Sequence, residues 1–279
     1  MTELSDDGAE MAQYAAKSGE RLIIDLEQPR FTSMPVFDAH KPGYDYFLYR
    51  RHSDTLKQQP GTIGRSSSSG IMTMMEHSGT HVDALCHQAE DLRFYGCDSV
   101  DEVEGPLGFT QGDAASLPIF MHPGHLLDVT AEFGGDEVPA GALVTADHLQ
   151  NCARKQGTAI EPGSVVVVRT GNGKYWNDSA RYLAGPGIAP SASMWLAEKK
   201  VFAVGADNMA WDLPGYVDDE IECDLPGHVV LLVRSGIFIF ENLDLESLAA
   251  RAVFDFTFYA SPLKFVGATG SPIRPVAIK

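Results

Sequence analysis

A run of four valines constrains the fold of this chain more than any other stretch. The segment S-V-V-V-V-R-T-G spans residues 164–171 and ends at a glycine. An uninterrupted β-branched run predicts a strand buried on both faces, because a strand with one solvated face alternates apolar and polar side chains. A sheet with both faces covered requires other elements to pack on it, so the run favours a protein that combines strands with helices.

Similar patterns recur along the chain. Strands are predicted at five further segments, residues 22–26, 125–129, 201–207, 237–240 and 254–258. Helices are predicted at four segments, residues 146–156, 191–200, 226–236 and 244–252. Thr145 and Asp224 are the expected N-caps of the first and third of these helices.

Two segments near the start have turn-like compositions. Residues 31–60 are aromatic and rich in proline and glycine, so a loop is expected there. The tract R-S-S-S-S-G at residues 65–70 predicts a mobile loop or a short extended run. Since strands alternate with helices and no linker or repeat is visible, we predict one α/β domain over residues 1–279, with residues 1–20 as an N-terminal arm.

The composition narrows the possible partners. The chain has 21 Lys+Arg against 38 Asp+Glu, a formal net charge of −17. Such a surface repels phosphate backbones and anionic lipids, so we expect neither a nucleic acid nor a membrane as partner and favour small neutral molecules or cations. Four cysteines without a C-x-x-C pair, and no apolar leader, predict a cytoplasmic protein.

Three histidines and an aspartate fall at odd-numbered positions in H-S-G-T-H-V-D-A-L-C-H, residues 77–87. On a helix, Asp83 would point roughly 200° away from His81. On an extended chain their Cα atoms are about 6–7 Å apart on the same side, close enough to chelate one ion. His77 would lie about 13 Å from His81 along a straight strand, so we predict a bend or bulge at Gly79 that brings His77 back.

Two imidazoles and a carboxylate suit Zn²⁺, Mn²⁺ or Fe²⁺ and leave coordination positions open for water and substrate. His87, four residues after Asp83, is then predicted to be a proton shuttle. The plainer alternative is that these side chains are hydrogen-bonded in a loop without an ion.

Other polar groups are weaker candidates. His122 and His125 flank a Pro-Gly pair that predicts a turn, and they are a possible second metal pair. Arg169 and Arg274 are equally compatible with substrate binding and with structural salt bridges. An acidic stretch is expected to be a solvated loop, except that Asp207 ends a predicted strand and could lie near the site; its members are Asp207, Asp212, Asp218, Asp219, Glu220 and Glu222. No serine-hydrolase elbow or nucleotide-binding motif is present.

The histidine cluster closely resembles the H-x-G-T-H-x-D-x-P-x-H signature of the "cyclase" superfamily of metal-dependent hydrolases, which includes bacterial kynurenine formamidase and isatin hydrolase. The resemblance spans about residues 20–279. Further segments follow in the family's order, namely R-T-G at 169–171, P-G-I at 186–188, W-L-A-E at 195–198, V-G-A-D at 204–207, P-G-H-V-V-L-L at 226–232, G-I-F-I-F-E-N-L at 236–243 and G-A-T-G-S-P-I-R at 267–274. Leu85 stands where many members have proline, which weakens assignment to the kynurenine formamidase branch.

The resemblance implies roles for individual residues. His77, His81 and Asp83 would bind the metal, and His87 would be the catalytic acid/base. His228 and Glu241 match the later His and Glu of the family, which help hold a second metal or form a polar shell around the first. We therefore expect one or two Zn or Mn ions per subunit.

The resemblance also implies the fold and the assembly. The expected fold is a swivelling β/β/α domain with a β-barrel-like core and surrounding helices. The expected assembly is a homodimer or homotetramer with an exchanged N-terminal arm. Aromatic residues near 37–49, with Trp176 and Trp211, would either wall a pocket for a flat substrate or pack structurally.

The predicted reaction is hydrolysis of an amide C–N bond, in a lactam ring or an N-formyl or N-acyl amine. A divalent ion would supply activated water, and His87 would return a proton to the leaving nitrogen. One alternative is a metal-assisted cyclisation or dehydration at the same site. Another is a non-catalytic metal- or ligand-binding protein, which would keep its ligand affinity when His87 is replaced.

Overall fold

The computed structural model describes residues 21–279. Its strands are β1 Ile23–Asp25, β2 Asp45–Arg50, β3 Ser69–Thr73, β4 His81–Asp83, β5 Glu104–Gly105, β6 Gly108–Phe109, β7 Phe120–Asp128, β8 Leu143–Val144, β9 Val165–Arg169, β10 Gly187–Ile188, β11 Ala203–Ala206, β12 Val217–Asp218, β13 Cys223–Asp224, β14 Phe238–Glu241, β15 Asp255–Ala260, β16 Gly270–Pro272 and β17 Val276–Ile278. Its helices are α1 His52–Thr55, α2 Ala146–Gln156, α3 Ser179–Leu183, α4 Pro190–Glu198, α5 Pro226–His228 and α6 Glu246–Ala250. None of the helices within residues 21–279 has the length and apolar character needed to cross a bilayer.

Nine strands form one sheet in the order β1-β17-β15-β7-β9-β11-β14-β4-β16. The valine run is its middle strand, β9, which lies parallel to both β7 and β11. The predicted strand and its double-sided burial are confirmed, since all four valines are fully buried.

The two faces of β9 lie in different cores. Val166 and Val168 pack with Leu149 of α2 and Leu196 of α4. Val165 and Val167 belong to a second core. The strands of the sheet from β1 to β4 all contribute to it, with side chains that include Ile24, Val82, Phe120, Phe240 and Phe258. The sheet thus curls around its own apolar face while helices cover the other. The predicted α/β fold with a barrel-like core is confirmed.

Helix boundaries follow their caps. Thr145 caps α2 in a reciprocal arrangement with His148, and the helix ends at Gly157 with a left-handed φ of 71°. The helix predicted at 226–236 needs correction. Asp224 lies in β13 instead of capping, Leu225 takes the cap position with a left-handed φ of 51°, and α5 continues as a π-helical turn over Val229–Val233.

Two other expectations were wrong. The segment expected to be a loop at 31–60 contains β2, which pairs with β3 in an exposed hairpin. The turn expected between His122 and His125 is part of the continuous strand β7, in which Pro123 pairs with Thr257 of β15. Pairing of β7 with β9 begins only at Gly124, so the missing N–H of Pro123 is tolerated. The N-terminal arm predicted at residues 1–20 lies outside the described residues.

Candidate metal centre

Strand β4 carries the core of the histidine cluster. It lies between β14 and β16, and His81 is paired with Glu241 of β14. Val82 points into the barrel core, so His81 and Asp83 lie together on the other side of the strand. The extended conformation predicted for His81 and Asp83 is therefore confirmed. Strand pairing also brings Glu241, 160 positions after His81 in the sequence, next to them.

The bend at Gly79 is also confirmed. Gly79 has a φ of +71°, a conformation that L side chains rarely adopt. Its turn returns the chain so that His77 Nδ1 lies 2.9 Å from Asp83 Oδ1. A Cβ at this position would lie 3.1 Å from Nε of Arg30, whose guanidinium donates to the Thr80 carbonyl.

His228 reaches the centre from the end of α5. The left-handed Leu225 and the following Pro226 start this short helix abruptly. Asp212 accepts hydrogen bonds from the backbone N–H groups of Gly227 and His228, at 2.7 and 3.0 Å. Both the strand side and the helix side of the centre are thus fixed by buried hydrogen bonds.

In two of the imidazoles, the nitrogen that faces away from the centre lies within hydrogen-bonding distance of an acceptor oxygen. His81 Nδ1 lies 2.7 Å from the Gly79 carbonyl oxygen, and His228 Nδ1 lies 2.7 Å from Asp212 Oδ2. Because these oxygens only accept, we assign the ring hydrogens to Nδ1. The Nε2 atoms of His81 and His228 then present lone pairs to the centre.

Those lone pairs face two carboxylates. His81 Nε2 lies 3.4 Å from Asp83 Oδ1 and 3.4 Å from Glu241 Oε2. His228 Nε2 lies 3.5 Å from Asp83 Oδ2 and 3.3 Å from Glu241 Oε1. Within residues 21–279, His81 Nε2 and Asp83 Oδ2 are buried without a hydrogen-bond partner. A buried set of imidazole lone pairs and carboxylate oxygens is the donor set that divalent cations prefer, and it fits such an ion.

The electrostatics of the centre favour positive charge among these side chains. Burial alone would lower the pKa of His81 and of His228, but the adjacent carboxylates raise the pKa of both rings above the usual value. Burial alone would raise the pKa of Asp83, but His87 and His228 hold it well below the usual value. The pocket therefore stabilises an ionised Asp83 and attracts positive charge.

His87 lies against the same centre. Its ring stacks on that of His77, with centroids 3.8 Å apart and an interplanar angle of 24°. Donor atoms of His77, Asp83 and His87 lie within 4.8 Å of one another, as do those of Asp83, His228 and Glu241. Burial and the neighbouring His77 lower the pKa of His87 well below the usual value, so the ring is neutral at pH 7 and able to accept a proton.

Sequence reasoning missed His40. Its ring stacks on His77 at 5.0 Å and lies 6.1 Å from the ring of His87. Burial, with a smaller effect of His77, lowers the pKa of His40 to about 4. The segment before it is held by Met34, which packs in a cluster with Trp176 and Tyr182. A lone histidine in an irregular segment carries no sequence signal for this position.

Asp212 was wrongly assigned to a solvated loop. It is buried because it anchors His228, and Asp207 is buried because it accepts hydrogen bonds from Thr170 and Gly171. Asp207 therefore supports the turn after β9 and is not in the metal centre. Only the remaining acidic residues of that stretch are partly or fully exposed, namely Asp218, Asp219, Glu220 and Glu222.

The other candidates are structural. Arg169 forms ion pairs with Asp128 and Glu246, and Arg274 with Asp25. Trp176 and Trp211 are buried in packing clusters. His122 is hydrogen-bonded to the Gly163 carbonyl, and His125 is hydrogen-bonded to Asp255. The two histidines therefore do not converge on one metal site.

A sequence profile of the putative cyclase family matches residues 24–213. The chain belongs to the putative cyclase family. This cyclase-family chain is 32% identical to an isatin hydrolase from Roseibium aggregatum over 215 residues, which cover 74% of this chain and 73% of the relative. It is 24% identical to a kynurenine formamidase from Polaromonas naphthalenivorans over 98% of both chains.

Solved structures show the same architecture. A crystal structure of a novel cyclase superposes with a TM-score of 0.81 at 26% identity, covering 94% of this chain and 89% of that one. An isatin hydrolase bound to the product analogue thioisatinate superposes with a TM-score of 0.72 at 25% identity, covering 99% of both chains. These solved structures share the fold of this cyclase-family protein.

Proposed function

We propose that this protein is a metal-dependent hydrolase that cleaves an amide C–N bond, in a lactam ring or in an N-formyl or N-acyl amine. The observation that carries the proposal is the pair of buried Nε2 lone pairs, from His81 and His228, that converge on the carboxylates of Asp83 and Glu241. Relatives named for isatin, a cyclic amide, and for removal of a formyl group from nitrogen support the bond type.

The geometry supports the ligand roles that the family resemblance implies. His77, His81 and Asp83 would hold one divalent cation, and His228 and Glu241 would hold a second or complete the first. Two sets of clustered donor atoms share Asp83, one with His77 and His87 and the other with His228 and Glu241, and they support a capacity for one or two ions, Zn²⁺ or Mn²⁺. Such an ion lowers the pKa of water and polarises a carbonyl when bound.

His87 supplies the acid/base chemistry. Its neutral ring takes the proton from the attacking water and donates it to the nitrogen that leaves. Asp83, whose pKa its neighbours hold low, would balance the charge of a bound cation. His77 fixes the plane of His87 through the stacked contact between the rings.

Two alternatives use the same centre. A cyclase or dehydratase would need the same Lewis acid, and a binding protein would need only the ligands. His87 disfavours simple binding, because a neutral imidazole beside the ligands has an evident use in proton transfer and none in holding a cation already supplied with donors.

We also propose that the protein works in the cytoplasm as a homodimer or homotetramer in which the β2–β3 hairpin contacts a second copy. The hairpin exposes large apolar side chains on both faces, among them Phe47, Tyr49 and Met72. Contiguous exposed apolar surface of this kind marks an interaction site. The four cysteines are free thiols, consistent with a reducing compartment.

The test is the metal content of wild type and of His81→Ala, purified identically and measured by elemental analysis. One or two equivalents of Zn or Mn in wild type, reduced in the variant, support the centre and justify screening isatin and N-formyl aryl amines. Absence of metal in both, even after reconstitution with Zn²⁺ and Mn²⁺, would overturn the proposal.

A further inference from the structure

We propose that Glu76 and Thr269 are positioning residues that orient His77 toward the metal centre. The inference rests on the proposed function, because it assigns these residues a role in cation binding. Glu76 directly precedes the histidine cluster, and Thr269 lies in the segment that leads into β16. Neither residue approaches the carboxylates of the centre as a ligand, and both act through His77.

Glu76, Thr269 and His77 are linked by a series of hydrogen bonds with one consistent donor direction. His77 Nε2 lies 2.8 Å from Thr269 Oγ1, and Thr269 Oγ1 in turn donates to Glu76 Oε1. The backbone N–H of Thr269 donates to the same Glu76 oxygen at 2.8 Å. Because the hydroxyl hydrogen of Thr269 is committed to the carboxylate, the hydroxyl oxygen is left to accept from His77.

This direction fixes the ring hydrogen of His77. His77 Nδ1 lies at hydrogen-bonding distance, 2.9 Å, from Asp83 Oδ1. With the hydrogen on Nε2, the Nδ1 lone pair would instead face a cation bound beside that carboxylate. The hydrogen bonds from His77 through Thr269 to Glu76 therefore orient the His77 ring, as the Gly79 carbonyl orients His81 and Asp212 orients His228. A carboxylate behind a histidine ligand holds its orientation and raises its basicity, and here the carboxylate acts through a hydroxyl.

Close packing keeps the ring in place. His77 is buried, with a side chain that is 4% exposed, whereas Glu76 is 29% exposed. A Cβ at Gly270 would lie 2.7 Å from His77 Cε1, so the neighbour of Thr269 must be glycine for the hydroxyl to reach the ring. The ring is thus confined between the β16 segment and His87, and its rotation is set by the Thr269 contact.

The same segment is also anchored by a residue that does not contact His77. Asp113 Oδ2 accepts from the backbone N–H of Gly267 at 2.7 Å. Asp113→Asn is therefore the matched control: it perturbs the attachment of the segment but leaves the chain from Glu76 to His77 intact.

The experiment measures Mn²⁺ affinity of metal-free full-length protein by the electron paramagnetic resonance signal of free Mn²⁺, with Zn²⁺ competition as a second titration. Thr269→Val and Glu76→Ala are expected to weaken binding about 10–100-fold, while Thr269→Ser, which keeps the hydroxyl, stays within about threefold of wild type. Thermal unfolding of each metal-free variant reports whether it is folded.

Three results would overturn the inference. The first is Mn²⁺ affinity within threefold of wild type in both Thr269→Val and Glu76→Ala. The second is an equal loss in Asp113→Asn, which would make the effect one of segment anchoring. The third is a wild type that binds neither metal, and only this result also removes the proposed function.

Discussion

At the scale of single residues, the metal centre is specified by what lies behind each histidine. A buried imidazole offers one donor and one acceptor, and an acceptor placed behind the ring commits the hydrogen and directs the lone pair inward. The Gly79 carbonyl and Asp212 do this for His81 and His228. His87 lacks a comparable anchor within residues 21–279, since its only side-chain contact of this kind is with Gln88 at 3.5 Å. The stacked contact with His77 therefore orients this ring without committing a ring hydrogen.

Replacement of His87 by alanine tests whether this residue is a metal ligand or a catalytic acid/base. We expect His87→Ala to retain the metal content of wild type and to lose about 10²–10⁴-fold in kcat, because a positioned proton-transfer group contributes that much. His122→Ala is the control, since His122 stacks on Phe202 away from the centre. Metal analysis and steady-state kinetics on an amide substrate decide the matter. Loss of metal from His87→Ala would show that His87 is a ligand instead.

At the scale of elements, the centre depends on the tight bend that joins His77 to β4. Gly79→Ala would place a methyl group on a residue with φ of +71° and 3.1 Å from the Arg30 side chain. We expect a loss of about 1–2 kcal/mol in the free energy of unfolding from the left-handed conformation alone, together with weaker metal binding as His77 is displaced.

Gly157→Ala is the matched control for that prediction. Gly157 has the same φ of +71°, and its Cβ position has no neighbour within 4 Å. Urea unfolding should therefore show a comparable loss for Gly157→Ala, while a metal titration should show no loss. Equal metal affinity in Gly79→Ala and wild type would mean that the bend does not position His77.

At the scale of the whole molecule, the β2–β3 hairpin carries a cluster of exposed large apolar side chains. Tyr49 is 70% exposed and Met72 60% exposed, and every residue of both strands is exposed. We expect wild type to run at a mass of two or four times 30.2 kDa in light scattering, and Phe47→Ser combined with Tyr49→Ser to shift it toward the monomer. Met194→Ser, on the exposed side of α4, should leave the mass unchanged. A monomeric wild type would contradict the proposed assembly.

Sequence patterns predicted helices and strands best where burial or capping within the element itself determines its conformation. The valines of β9 and the capped helix α2 were predicted almost to the residue, because burial and capping are encoded locally. The turn predicted at the Pro-Gly pair in β7 was wrong, because pairing of Pro123 with Thr257 of β15, 134 residues away, overrides the local preference. Asp212 and His40 join the centre through tertiary packing alone, so no local spacing marks them.

The order of strands around β4 has a consequence for biosynthesis. β4 carries His81 and Asp83, but both of its partners, β14 and β16, are made more than 150 residues later. Until then the ribosome-bound chain holds the histidine cluster without Glu241 opposite it and without the segment that covers His77. A nascent chain therefore meets cellular metal ions with an incomplete set of donors, and tight, correctly coordinated loading becomes possible only once the C-terminal strands have been released and paired.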